Sequence, residues 1–307
     1  MTTHIDELMT FLSGSITPFH AVEVMAKTLQ RAGFEQLDQF DAVRMTPGKG
    51  YFVVHQGSSL MAVRAGQSGV ETGLRLVGAH TDSPNLSVKP NPVKGRDGCI
   101  QLGVDVYGGA LLNPWFDRDL GMAGRVTMLT PDSALRTTLF DTGRAVAVIP
   151  SLAIHLDREA NTQRSINRQK DVVPLVMLGE HEQYDLKAWL AQELARVDSQ
   201  WQGARVMDYE LSLYDTQPPN QIGIDGDFIT SARLDNLLSC FAGMRALIDA
   251  DDAEWSLFVA TDHEEVGSAS TVGAQGPMLM DALAALAPDP KLNRMMRAQS
   301  WMMSVDN

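Results

Sequence analysis

The sequence predicts an α/β fold in which one α/β domain is interrupted by a β-rich insertion. Three observations predict it. Helical apolar stripes sit beside short apolar strand runs at both ends of the chain. From about Pro92 the texture changes to short runs broken by Gly, Pro and Asp. After Gln217-Pro218-Pro219-Asn220, which reads as a linker, the α/β texture returns. The expected division is 1–91 and 221–307 for the α/β domain and 92–220 for the insertion.

The elements follow in order. Thr17 is placed to cap a helix, Pro18 to open it and Gly33 to close it, with Val22, Met25, Leu29 and Ala32 on one face. The runs Tyr51–Val54 and Leu60–Val63 flank Gln56-Gly57-Ser58-Ser59 and predict a hairpin. A third strand, Leu74–Ala79, leads into His80. The turn-rich module ends in a helix near Tyr184–Val197, with Leu186, Trp189, Leu190 and Leu194 apolar. Beyond the linker, Leu234 to Ile248 carries a helical stripe, Trp255–Ala260 reads as a buried strand, and a further helix is expected over Met278–Leu286.

Composition sets the outer limits. The chain has 307 residues, room for about two domains. Its 25 Lys and Arg against 38 Asp and Glu leave a formal charge of −13, which argues against nucleic acid or an anionic membrane as partner. The longest apolar run, Ala145–Ile154, is broken by Pro150, while a membrane helix needs about 20 residues. Cys99 and Cys240 form no CxxC pair, and no signal peptide is visible at the start. A cytoplasmic location is expected.

Three clusters of hard ligands fall at element boundaries. His80-Thr81-Asp82 follows a strand, Arg233-Leu234-Asp235-Asn236 opens a helix, and Asp262-His263-Glu264-Glu265 follows a second strand. In open α/β sheets, ligands bind outside the carboxyl ends of strands. Zinc accepts imidazole nitrogen and carboxylate oxygen, and one carboxylate can bridge two ions. Glu264 and Glu265 can divide two tasks, one on metal and the other on a water. Asp82 is placed to hold the second nitrogen of His80 and fix its tautomer. Each cluster alone also fits a cap or a solvated loop; their coincidence at matching positions points to a dinuclear metal site.

The stretches Gly78-Ala79-His80-Thr81-Asp82-Ser83-Pro84, Trp115-Phe116-Asp117-Arg118-Asp119-Leu120, Ile154-His155-Leu156, Asn167-Arg168-Gln169-Lys170, Arg233-Leu234-Asp235-Asn236, Glu264-Glu265-Val266-Gly267-Ser268 and Ser304-Val305-Asp306 make the chain resemble the aspartyl aminopeptidase family, which includes vacuolar aminopeptidase I. The resemblance runs from the first helix to the last residue. It implies a zinc-exopeptidase-like α/β/α catalytic domain with a β-rich dimerisation insert, two zinc ions, peptide substrates and assembly into a homo-oligomer, a dodecamer in the family. It implies that His80 and Asp306 ligate one zinc, that Asp235 bridges, that Glu265 is a ligand, that Glu264 is the general base and that Asp82 orients His80. His155 resembles a family histidine that reaches a neighbour's active site. Read alone it would also serve as a metal ligand, and its place in the insertion favours a substrate contact. The resemblance implies acidic N-terminal residues as substrates, although some relatives prefer neutral ones.

The family continues past Ser-x-Asp with an Ala-His-Ala-x-His-Pro-Asn-like stretch, whereas this sequence ends at Asn307. It reads as truncated, with the second zinc short of an imidazole and little activity expected. The alternatives are a catalytically dead assembly fragment of such an enzyme, or, within enzymology, a related metal-dependent deacylase. Other features take plainer readings. Met278, Met280, Met295, Met296, Met302 and Met303 are expected as core filler. His4, His20, His55 and His181 are expected as surface or structural residues, Cys240 as buried and inert. His263 is read as structural rather than substrate-touching. Arg118 and Lys170 fit either substrate contacts or ion pairs.

Overall fold

A computed structural model of the chain describes residues 4–40, 45–180 and 184–307. It divides into two compact units, Met1–Ser83 with Pro218–Asn307, and Pro84–Gln217. His181 lies outside the described residues.

The first unit begins with helices α1 (His4–Gly14) and α2 (Pro18–Arg31), followed by strands β1 (Glu35–Gln36), β2 (Gly50–His55), β3 (Ser59–Arg64) and β4 (Leu74–His80). The sequence reading had not anticipated α1. Its Leu8, Phe11 and Leu12 are buried at helical spacing, but they make only one turn of pattern. Pro18 opens α2 as expected, since a helix leaves its first N–H groups unpaired and proline has none. Thr17 makes no side-chain cap; its Oγ1 lies 2.8 Å from Nδ1 of the buried His20 instead. The hairpin turns at Gln56 (φ 49°) and Gly57 (φ 79°), the left-handed pair that matches the twist of two antiparallel strands.

The second unit holds β5 (Asn85–Arg96), β6 (Cys99–Tyr107), β7 (Leu120–Leu129), β8 (Leu135–Asp141), β9 (Leu175–Leu178), α3 (Leu186–Val197) and β10 (Arg205–Asp215). The strands form one antiparallel sheet in the order β8-β7-β10-β5-β6-β9. Asp185 caps α3 by accepting from the amides of Lys187 and Ala188, and Leu186, Leu190 and Leu194 face the unit's core. The division comes at Ser83/Pro84, whereas the expected break at residue 92 falls inside β5. Pro90 and Pro92 sit in an irregular stretch where the β5–β6 register shifts between Val88 and Val93. Proline cannot donate to a ladder, so these residues mark a bulge rather than a boundary. The Tyr209 hydroxyl donates to the carbonyls of Lys89 (2.7 Å) and Pro90 (3.1 Å) across this bulge. Burial, helped by the Asp208 charge, pushes its pKa up to about 12, so it remains a donor. Tyr209→Phe is expected to cost about 1 kcal/mol, the net worth of such a bond, measurable by urea unfolding.

The chain then returns to the first unit through the hairpin β11 (Asn220–Ile222) and β12 (Phe228–Thr230), α4 (Leu234–Asp249), β13 (Trp255–Thr261), α5 (Met278–Leu286), α6 (Pro290–Gln299) and β14 (Trp301–Ser304). Its sheet runs β1-β2-β3-β13-β4-β14, with β13, β4 and β14 mutually parallel and β3 antiparallel to β13. Alternate residues face opposite layers. Phe52, Leu60, Ala62, Phe258 and Ala260 pack with α1, α2 and α4. Tyr51, Met61, Val63, Leu257 and Val259 pack with α5 and α6. The unit is thus an α/β/α sandwich, and burying Phe52 or Phe258 completely contributes roughly 1.5–3 kcal/mol each.

The methionine expectation needs correction. Met278 and Met296 are core residues, but Met280, Met295, Met302 and Met303 are exposed. Met302 and Met303 lie on β14, the last strand of the sheet among the described residues, and the other two lie on outer faces of α5 and α6.

Candidate metal centre

Strands β4 and β13 are parallel neighbours, with His80 opposite Thr261 at their carboxyl ends. Everything that follows these two strands therefore emerges at one sheet edge, the usual place for a ligand site. Asp82 lies two residues beyond β4. Past β13 the chain makes a left-handed turn at His263 (φ 63°) and enters a single helical turn over Glu264–Val266. Asp235 enters from α4, whose first turn is distorted: Asp235 and Asn236 have non-helical angles, and the peptide between them is cis. Ser83 Oγ donates to the Asp235 carbonyl (2.7 Å). Asp306 follows β14, tied down by Asn236 Nδ2 donating to the Val305 carbonyl (2.8 Å) and Val305 N donating to the Gly78 carbonyl (2.9 Å).

The His80 side chain is 5% exposed, and its Nε2 is buried without a hydrogen-bond partner. Around that nitrogen stand Asp235 Oδ1 at 3.4 Å, Asp306 Oδ1 at 3.6 Å and Glu264 Oε2 at 3.8 Å. These carboxylates are about half exposed or more, so a buried imidazole floors a site open to solvent. On the other side of the ring, Nδ1 lies 3.2 Å from Asp82 Oδ1 and 3.0 Å from the Asp82 carbonyl. The Asp82 carboxylate, 1% exposed, also accepts the amides of Glu264 and Glu265 at 3.1 Å each. One buried carboxylate therefore sets both the ring and the turn that carries the two glutamates. Beside the site opens a cavity of ≈ 150 Å³ whose lining includes His80, Glu264 and Asp306 with Val259, Met278 and Met302.

The carboxylates around His80 favour positive charge at this site. Burial pulls the His80 pKa down, but bonding to Asp82 and the charges of Asp82 and Glu264 outweigh it and raise the pKa to about 9. Burial, then the neighbouring Asp306 charge, raises the pKa of Asp235. His80, Asp235 and Asp306 each offer one ligand atom, all within 4.8 Å of one another. An orphaned imidazole nitrogen beside carboxylate oxygens is a donor set that zinc accepts, so the residues fit the metal.

Glu265 shares the turn through its amide, but the tight three-residue group does not include it. His155 lies exposed in a turn of the other unit. Arg118 pairs with Asp215 at 3.2 Å within that unit. Cys240 is fully buried, as expected, and its Sγ donates to the His80 carbonyl (3.0 Å), bracing the strand end. Burial drives its pKa far upward, which keeps the thiol protonated. Ser83, Asn236 and the second task of Asp82 were not read from sequence. Their adjacency to the ligand residues was the only available signal, because they act through backbone groups distant in the chain.

Residues 11–307 match the family model described as aminopeptidase I zinc metalloprotease (M18). The chain belongs to the M18 family of zinc aminopeptidases. It is 49% identical over 302 residues to "Probable M18 family aminopeptidase 2" of Pseudomonas putida strain GB-1, covering 98% of this chain and 70% of that one. The namesake from Azotobacter vinelandii is 48% identical over 310 residues and is covered to 72%. Among solved structures, Chaetomium thermophilum mApe1 superposes with a TM-score of 0.83 at 28% identity, covering 97% of this chain and 73% of that one. A chain in the Ape4 and Nbr1 complex gives 0.89 at 31% identity, covering 98% of this chain and 62% of that one. This M18 chain is thus a zinc-dependent peptidase by family and has the α/β architecture of its solved relatives. Among the described residues, no helix is long and apolar enough to cross a membrane.

Proposed function

We propose that this M18 chain removes N-terminal residues from peptides at a two-zinc site on the carboxyl edge of its central sheet. The observation that carries the reading is the buried, unpartnered Nε2 of His80 facing three carboxylates. His80, Asp235 and Asp306 would hold one ion, and Asp235 and Glu265 would be residues that hold a second. Bound zinc supplies Lewis-acid polarisation of the scissile carbonyl and lowers the pKa of a water. Glu264 takes the proton of the attacking water and passes it to the leaving amine. Asp82 keeps the His80 ring in place, with Nε2 toward the metal side. An acidic N-terminal residue is the proposed preference, resting on the resemblance to aspartyl aminopeptidases.

The insertion, expected over residues 92–220 and compact over Pro84–Gln217, is proposed to supply dimer contacts, with His155 contacting substrate in a partner's site. Support comes from the exposed Leu152, Ile154 and Leu156 around His155, and from S. cerevisiae mApe1, whose solved structure is a dodecamer; it is 26% identical, with a TM-score of 0.79, and the match covers 98% of this chain and 70% of that one. The free state of Cys99 and Cys240 accords with a reducing, cytoplasmic setting.

The test is metal content by elemental analysis alongside release of the N-terminal residue from aspartyl, glutamyl and leucyl anilides. Chelation should abolish turnover and zinc should restore it. Turnover that survives complete metal removal would overturn the reading. For His155, mixing His155→Ala with Glu264→Gln subunits should recover activity absent from either alone. No recovery from stably mixed oligomers would remove the partner contribution.

A further inference from the structure

The segment from Thr261 to Gly273 carries both glutamates, and it closes on itself. The Asp262 amide donates to the Val272 carbonyl (3.1 Å) and to Ser59 Oγ (3.0 Å), and Ser59 Oγ in turn donates to the same carbonyl (2.8 Å). Across the loop, His263 Nδ1 lies 2.8 Å from Ser270 Oγ, which also accepts from the Gly273 amide (3.0 Å). The other ring nitrogen of His263 lies 3.6 Å from Asp262 Oδ2. Both nitrogens thus face groups of the loop itself.

The main chain of His263 explains why this matters. It adopts φ 63° and ψ 21°, a left-handed conformation that residues with a β-carbon rarely take. Its amide donates to Asp262 Oδ1 (2.8 Å), and its carbonyl accepts from the Ser268 amide (2.7 Å). That turn aims the next two amides, of Glu264 and Glu265, at the Asp82 carboxylate. It leaves the Glu264 carboxylate 3.8 Å from His80 Nε2.

We propose that His263 is a positioning residue for the aminopeptidase reaction: its ring, latched to Ser270, holds the left-handed turn that aims the Glu264 carboxylate at the reacting water. The proposal rests on the function proposed above. A base displaced by about 1 Å loses roughly 100-fold in rate without any change in its own chemistry. Asparagine tolerates the left-handed region better than other residues with a β-carbon and can bond to a hydroxyl, so it is the conservative replacement.

The experiment compares His263→Ala, His263→Asn and Ser270→Ala in the whole protein. It reads kcat and KM separately, zinc per chain, and hydrogen exchange at the Glu264 and Glu265 amides. His263→Ala should lower kcat by about tenfold or more, with KM and zinc content close to wild type and faster exchange at both amides. Ser270→Ala, the milder change, should move the same readouts in the same direction, and His263→Asn should recover most of the loss. Unchanged kcat in both alanine variants overturns the proposal, as does a fall in kcat without faster exchange. If Glu264→Gln is fully active, the proposed function fails by itself, while exchange at the two amides still reports whether the latch holds the turn.

Discussion

Glu264→Gln is expected to retain zinc and lose turnover by about 10²–10⁴-fold, the usual worth of a positioned general base. The amide has the same shape, so packing and the turn at His263 are undisturbed. Glu264 is about half exposed and reaches toward the ligand cluster from its rim, as expected of a group that meets water and substrate. What the amide lacks is a site for the water's proton. Glu265→Gln makes the contrast: it is expected to weaken metal binding as well as turnover. Steady-state kinetics and zinc content on both variants check the division of labour. Near-normal turnover of Glu264→Gln, or zinc loss equal to that of Glu265→Gln, would exclude the assignment.

Asp82→Ala is expected to damage metal binding, activity and folding together. The carboxylate is buried and accepts two amides while facing His80 Nδ1. Its removal leaves the Glu264 and Glu265 amides of a half-buried turn without their acceptor, at up to about 1–3 kcal/mol each. Two such losses are a large share of a stability of roughly 5–15 kcal/mol. The His80 ring also loses the partner that orients it, which typically costs 10–100-fold in metal affinity. Asp82→Asn keeps one acceptor oxygen and should fall between the two. Urea unfolding and zinc titration report the two effects separately. Unchanged zinc affinity in Asp82→Ala would show that the imidazole is held by its packing alone.

Much of the fold was legible because its signals are local. The hairpin of β2 and β3 needs only two apolar runs and a turn that tolerates left-handed residues. The helices α2, α4 and α5 carry full apolar stripes. α6 was missed because it is polar on most of its surface and buries only Met296 completely. β14 was missed because it is four residues long, all exposed. The second compact unit begins at Pro84 rather than near Pro92, because proline marks a strand bulge as readily as a linker.

The sequence by itself determined the candidate donors: a histidine at one strand end, a glutamate pair after another, an aspartate at a helix start. These residue types, at element boundaries, state that hard ligands converge, and the motif resemblance assigned the family. Only the tertiary structure decided how they converge. The parallel pairing of β4 and β13 brings His80 level with Thr261, residues far apart in the sequence. The Asn236 bond to Val305 brings in Asp306, and the Asp82 carboxylate ties the glutamate turn to the histidine. The reason is physical: residue type and local period record which side a residue faces, whereas distances between ligands depend on strand order and buried hydrogen bonds, which link residues far apart in the chain.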